Sequence, residues 1–270
     1  MKRTFLLISG LALLAACSTA RKTIITPTNA SIANSGKVWA SLWQQRSAEY
    51  HALCFQAYNI AKLRLDEIIK QSPGKPYAIV TDIDETVLDN SPYDVQRAVH
   101  NQDYDAATWK QWTALAQCDT VAGAPSFFKY AASKGVTVFY ITNRDEDERT
   151  GTLKNLQRYQ MPYADNEHLL LKTGSSSKES RRQQVLKNYT IALLCGDNLP
   201  DFDAAYDSHP AELNRQAATV NLLSKFGSRY IILPNPSYGD FEGALFHYNY
   251  KLSPMQKDSI IKANIKTPSF

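Results

Sequence analysis

The sequence predicts an α/β protein: a three-layer parallel sheet with helices on both faces and a smaller, mainly helical cap. Three observations carry this. Five short apolar runs, at 77–82, 136–142, 168–172, 191–196 and 230–234, have the length and β-branched content of buried strands. Helical segments separate the later runs, 150–158 and 178–187 among them, and such alternation builds parallel sheets. The stretch 89–133 between the first two runs is longer than a crossover needs. It carries Tyr93, Tyr104, Trp109 and Trp112, and so it is expected to sit over the strand ends as a cap.

At the amino terminus Lys2 and Arg3 precede an apolar core over 5–16. That core is too short to cross a bilayer of about 30 Å and has the order of a signal peptide. It ends in Leu14-Ala15-Ala16-Cys17, which resembles a bacterial lipoprotein box. Residues 1–16 are then the signal. Removing them from the 270 leaves 254, with lipid on Cys17. Ser18, rather than Asp, favours sorting to the outer membrane. Residues 17–36, rich in Ser, Thr and Asn, are expected to form a tether. The domain proper is expected over 37–270, with cap elements from 37–72, 89–133 and 238–265. Residues 38–70 show helical spacing, stopped by Ser72-Pro73-Gly74. The tail is expected to be helical over 241–251.

Without Lys2 and Arg3, the 30 basic residues become 28 against 26 acidic. A nucleic-acid binder would show a basic stripe, so nucleic acid is not an expected partner. Cys195 lies in an apolar run and is expected to pack as a small hydrophobe. Spacing leaves open whether Cys54 and Cys118 pair.

The chemistry gathers at the ends of the runs, where open α/β sheets bind ligands. The first run ends in Asp82-Ile83-Asp84-Glu85-Thr86. With no Lys or Arg nearby in sequence, the two aspartates repel each other unless a cation lies between them, and a hard divalent ion suits such oxygens. The second run ends in Thr142-Asn143, which offers a hydroxyl and N–H groups to an anion, or simply a turn. Lys178 opens a helix, an unusual place for a cation unless it faces an anion; Lys172 is its rival. Asp197 and Asp201 follow the fourth run.

In order and spacing these four motifs resemble the haloacid dehalogenase (HAD) superfamily of phosphohydrolases. The strings Asp82-Ile83-Asp84-Glu85-Thr86-Val87-Leu88-Asp89-Asn90-Ser91, Ile141-Thr142-Asn143-Arg144 and Gly196-Asp197-Asn198-Leu199-Pro200-Asp201-Phe202 look like the class C, or DDDD, bacterial acid phosphatases. The likeness is to their outer-membrane lipoprotein branch, which acts on 5′-nucleotides. It spans nearly all of the mature chain; Ser180 departs from the proline common in the third motif.

The resemblance implies Asp82 as nucleophile, forming an aspartyl phosphate, and Asp84 as general acid and base. It implies Mg²⁺ held by Asp82, the Asp84 carbonyl and Asp197, with Asp201 anchoring metal-bound water or Lys178. Thr142, Asn143 and Lys178 bind phosphate. Trp109 and Tyr238 match the rings that stack on the substrate base; cap filling or a dimer interface is the structural alternative for either ring. The expected partners are small phosphomonoesters such as nucleotides, and a membrane through Cys17; a homodimer is left open. No Arg-His-Gly triplet, no Cys followed six residues later by Arg, and no zinc-type histidine spacing supports a rival phosphatase chemistry. From another class, a surface lipoprotein that binds haem, a nucleotide or a host component is the competing reading. It leaves Asp84 without a task.

Overall fold

The structure, a computed structural model, describes residues 31–72 and 74–268. In chain order the helices are α1 (Ile32–Arg46), α2 (Ala48–Ile68), α3 (Ser91–Val99), α4 (Ala106–Leu115), α5 (Ala124–Ser133), α6 (Arg149–Arg158), α7 (Glu179–Asn188), α8 (Glu212–Asn221), α9 (Asp240–Leu245) and α10 (Pro254–Asn264). The strands are β1 (Tyr77–Thr81), β2 (Leu88–Asp89), β3 (Asp119–Thr120), β4 (Thr137–Ile141), β5 (Leu169–Leu170), β6 (Thr190–Gly196) and β7 (Tyr230–Ile232).

All five predicted runs enter one sheet, in the order β5-β4-β1-β6-β7, with every pairing parallel. From β1 the chain builds outward through β4 and β5, then crosses back to place β6 on the other side of β1. That reversal opens a crevice at the carboxyl ends of β1 and β6.

Alternation along β1 sorts its side chains to two faces. Ile79 joins Val138, Leu193 and Cys195 against α2 and α5, through Ala61, Leu65 and Phe128. Ala78 and Val80 join Phe139, Ile141 and Leu194 against Val185 of α7. Cys54, Cys118 and Cys195 are buried free thiols, so the open pairing of Cys54 with Cys118 is absent. Cys195 packs within the core, as expected for a small hydrophobe.

The ends of the chain depart from expectation. Ser31 caps α1 by accepting from the Asn34 N–H at 3.1 Å, so residues 32–36 are helix and not tether. The rest of the expected tether, the signal segment and Cys17 lie outside the described residues. The predicted helix over 38–70 is two helices. Ser47 breaks it, accepting from the Tyr50 N–H at 3.0 Å to start α2. Of the expected cap element over 37–72, only the α1 part serves the cap. It packs on α3 and α10, whereas α2 lies beneath the sheet. The predicted helix over 241–251 ends with α9 at Leu245. His247 and Tyr248 then take left-handed backbone angles, and the helical path resumes only at Pro254. Between β1 and β4 lies the inserted segment, with α3, α4 and the antiparallel pair β2–β3. Ion pairs between Lys37 and Glu242 at 3.0 Å and between Lys257 and Asp103 at 2.9 Å join α1, α9, α10 and the insertion.

Candidate active site

Beneath the cap lies a cavity of about 900 Å³, reaching the carboxyl ends of β1, β4 and β6. The Asp82 N–H donates to the Cys195 carbonyl at 2.9 Å, which fixes the first aspartate at the end of the ladder. The chain then turns tightly. The Ile83 carbonyl accepts from the N–H groups of Val87 and Leu88 at 2.7 and 2.9 Å, and Glu85 sits at φ 54°.

Lys178, at the start of α7, is buried between two carboxylates, 2.6 Å from Asp82 Oδ1 and 2.6 Å from Asp201 Oδ1. Its burial opposes the charge, but the two aspartates outweigh that and keep the ammonium protonated. The other Asp201 oxygen accepts from the Asn198 N–H at 3.0 Å, closing the turn after β6. Asp197 accepts from Asn235 Nδ2 at 2.8 Å and from the Thr86 hydroxyl at 3.4 Å. The sequence placed Asp82 and Asp84 far from any basic residue; the fold supplies Lys178 to the first and Arg144 to the second.

Carboxylate oxygens of Asp82, Asp197 and Asp201 all lie within 4.8 Å of one another. Burial pushes Asp82 up to about 7, opposed by Lys178 and reinforced by Asp201 and Asp84. Burial also drives Asp197 well above the carboxylate range, with Asp201 and Asp82 adding to it. Three crowded acids around one ammonium are short of positive charge, and their donors are all oxygen. The group fits a hard divalent cation. Asp201 thus belongs to the acid cluster itself and also anchors Lys178.

The remaining expected residues are distributed unevenly. Thr142 is fully buried at the end of β4, its hydroxyl accepting from the Arg144 N–H at 3.2 Å, and it is absent from the cavity wall. Asn143 lines the cavity and accepts from Arg181 Nη2 at 2.7 Å. The rival Lys172 pairs with Asp145 at 2.7 Å, away from the cavity wall. Trp109 and Tyr238 both line the cavity. Trp109 is only 9% exposed, packed edge-on against Tyr93, while neighbouring Tyr104 is 64% exposed on the same wall. Tyr238 donates its hydroxyl to Glu85. Trp112 lies off the cavity wall, its indole N–H donating to Asn90 Oδ1 at 2.9 Å.

Several residues escaped the sequence reading. Arg144 grips Asp84, Asn90 bonds Asp84 and Glu85, and Asn235 holds Asp197. Arg144 and Asn90 stand inside the quoted strings. The sequence shows only that Arg144 follows a strand end; that it faces Asp84 comes from the fold. Asn235, from the loop after β7, had no local signal.

A doubly wound sheet with a lysine-bridged acid cluster at its switch point is suited to hold a divalent cation and an anionic substrate. The chain matches the model of the HAD superfamily, subfamily IIIB (acid phosphatase), over residues 10–241. It belongs to that family. It is 39% identical to the class C acid phosphatase from Bacillus anthracis, whose structure superposes with a TM-score of 0.84 over 88% of this chain and 99% of that one. A second structure of the Bacillus anthracis enzyme, with tungstate bound, gives 38% identity and 0.83 over the same shares. The class B acid phosphatase of Rahnella sp. (strain Y9602) is 28% identical over 170 residues, covering 59% of this chain and 68% of its own. The protein is therefore an acid phosphatase, a phosphomonoester hydrolase.

Proposed function

We propose that the protein is a Mg²⁺-dependent acid phosphatase acting on nucleoside 5′-monophosphates through an aspartyl phosphate. The observation that carries this is Asp82, fixed at the end of β1, ion-paired to buried Lys178 and clustered with Asp197 and Asp201. Asp82 attacks phosphorus, splitting one difficult displacement into two. Asp84, a cavity-wall residue beside it, gives a proton to the departing alcohol and later takes one from water. Lys178 offers its ammonium to the phosphoryl oxygens while Asp201 holds it in place. Asn143 supplies a further polar group on the wall, and the Thr142 hydroxyl, which accepts from the Arg144 N–H, keeps its proton for a phosphoryl oxygen. Mg²⁺ would be held by Asp82, the Asp84 carbonyl and Asp197, and would offset the charge of the transferring group. A buried Asp82 raised to about 7 is a poor nucleophile in acid unless a cation lowers it, which supports that assignment.

Nucleotides are favoured by the size of the cavity and its aromatic wall, where Trp109 and Tyr238 receive the base with Tyr104 beside them. The Leu14-Ala15-Ala16-Cys17 box supports a lipid anchor in the outer membrane. Asp82→Asn removes the nucleophile. Its turnover on p-nitrophenyl phosphate should fall by orders of magnitude, and phosphate should no longer be trapped on the Asp82 peptide after rapid quench with substrate. Retained turnover, or phosphate trapped on another residue, overturns the mechanism.

A further inference from the structure

Asp84 is gripped on one oxygen. Arg144 Nη2 donates to Asp84 Oδ1 at 2.7 Å, and Nε is shared between Oδ1 at 3.1 Å and Oδ2 at 3.3 Å. Asn90 Nδ2 adds a third donor to Oδ1 at 2.9 Å. Among the described residues Oδ2 has only the long contact with Nε.

Both holders are themselves held. Arg144 is 2% exposed; its Nη1 donates to Thr152 Oγ1 at 3.0 Å, and its guanidinium lies 5.7 Å from the Trp109 ring centre. The Asn90 N–H donates to Glu85 Oε1 at 2.7 Å, and its Oδ1 accepts from Trp112 Nε1 at 2.9 Å and Cys118 Sγ at 3.2 Å. Those contacts fix the Asn90 amide with its NH₂ toward Asp84.

A carboxyl proton cannot occupy an oxygen on which three N–H donors converge. We propose that Arg144 and Asn90 are positioning residues that reserve Asp84 Oδ2 as the oxygen that carries the proton. This rests on the acid–base reading of Asp84 given above. In the first half-reaction a bond forms from an Asp82 carboxylate oxygen to phosphorus, and the bond from phosphorus to the leaving oxygen breaks. The leaving oxygen keeps that electron pair and takes the Oδ2 proton. In the second half, water oxygen bonds to phosphorus, the bond from phosphorus to the Asp82 oxygen breaks with its electron pair returning to the carboxylate, and Oδ2 recovers a proton from the water. Arg144 also spans from Asp84 to Trp109, so the wall that meets the leaving group is packed against the group that holds its acid.

General-acid catalysis contributes roughly 10²–10⁴-fold, and it matters most for basic leaving groups. The test is kcat/KM for p-nitrophenyl, phenyl and ethyl phosphate, a series of rising leaving-group basicity. Arg144→Met should lose about 100-fold on ethyl phosphate and less than about tenfold on p-nitrophenyl phosphate, in the same preparation. The ratio cancels any misfolded fraction. Should Arg144→Met give no soluble protein, Arg144→Lys, which keeps the charge but not the fork, is read by the same ratio. Equal loss on all three esters, or none, overturns the proposal. Asp84→Asn separates the two layers of the argument. A graded loss there with a flat loss at Arg144 refutes the positioning role alone, whereas a flat loss at Asp84 refutes the acid–base reading beneath it.

Discussion

Removing the divalent metal should make this protein less stable as pH rises, the reverse of the usual trend on leaving acid. Asp82 has an ordinary value of 3.8 and is raised by burial to about 7 in the folded chain. Between those values the folded state binds more protons than the unfolded one, so stability falls with rising pH. The contribution is fully present below 3.8 and lost as pH passes about 7. At 1.36 kcal/mol per unit the shift corresponds to about 4 kcal/mol for Asp82 alone, an upper figure because Lys178 and Asp201 share the cluster. Asp197 and Asp94, both raised by burial, act in the same direction. Exposed carboxylates lowered by ion pairs, such as Glu146, act the other way and contribute little. For a domain of this size a few kcal/mol corresponds to about 10 °C in Tm. Calorimetry of the chelated protein at pH 5 and pH 8 measures the fall, and Asp82→Asn should make it shallower, leaving the share of Asp197 and Asp94. Saturating Mg²⁺ should restore most of the loss at pH 8, because bound metal stabilises the folded state. A chelated protein whose Tm holds level or climbs from pH 5 to pH 8 would refute the reasoning.

Three other perturbations test separate parts of the site. A Cβ added at Gly196 would lie 2.5 Å from Asp201 Cβ; Gly196→Ala should therefore displace the turn that aims Asp201 at Lys178, lowering Tm by several degrees and weakening metal affinity in a calorimetric titration. Trp109→Ala and Tyr238→Ala should each lower kcat/KM for a nucleotide roughly tenfold to a hundredfold, at about 1–3 kcal/mol per stacked ring, and should lower p-nitrophenyl phosphate activity less; equal losses would assign these rings to holding the cap. Cys17→Ser should abolish partition into the outer-membrane fraction, and mass spectrometry of the wild-type amino terminus should show lipid on Cys17.

The sheet was legible because its strands are buried on both faces, which writes them as apolar runs. The acids were legible because β1 and β6 deliver them at strand ends. What was hidden came from packing across distance. Nothing local says that Arg144 turns toward Asp84, or that Asn235 reaches Asp197 from 38 residues away. The split at Ser47 had a local sign, a serine followed by the acid Glu49, but an uninterrupted apolar period on either side obscured it. Thr142 was expected to face phosphate. Its hydroxyl oxygen also accepts from the Arg144 N–H, a short-range bond that leaves the hydroxyl proton to donate and that sequence spacing alone does not show.

The cap is stitched from segments far apart in the sequence. The Ile32 N–H of α1 donates to Asp258 of α10 at 2.8 Å across 226 residues, and Tyr238 reaches Glu85 across 153. Contacts of such separation form late, after the loop-closure entropy of the intervening chain has been overcome. The strands can therefore assemble before the substrate pocket has a roof, and α1 and α10 are the segments at which a protease can unpick that roof. A cut within α1 or α10 would leave Asp82 on its strand while loosening the wall that holds the leaving group. Nucleotide selectivity should then decay in storage sooner than hydrolysis of small aryl phosphates.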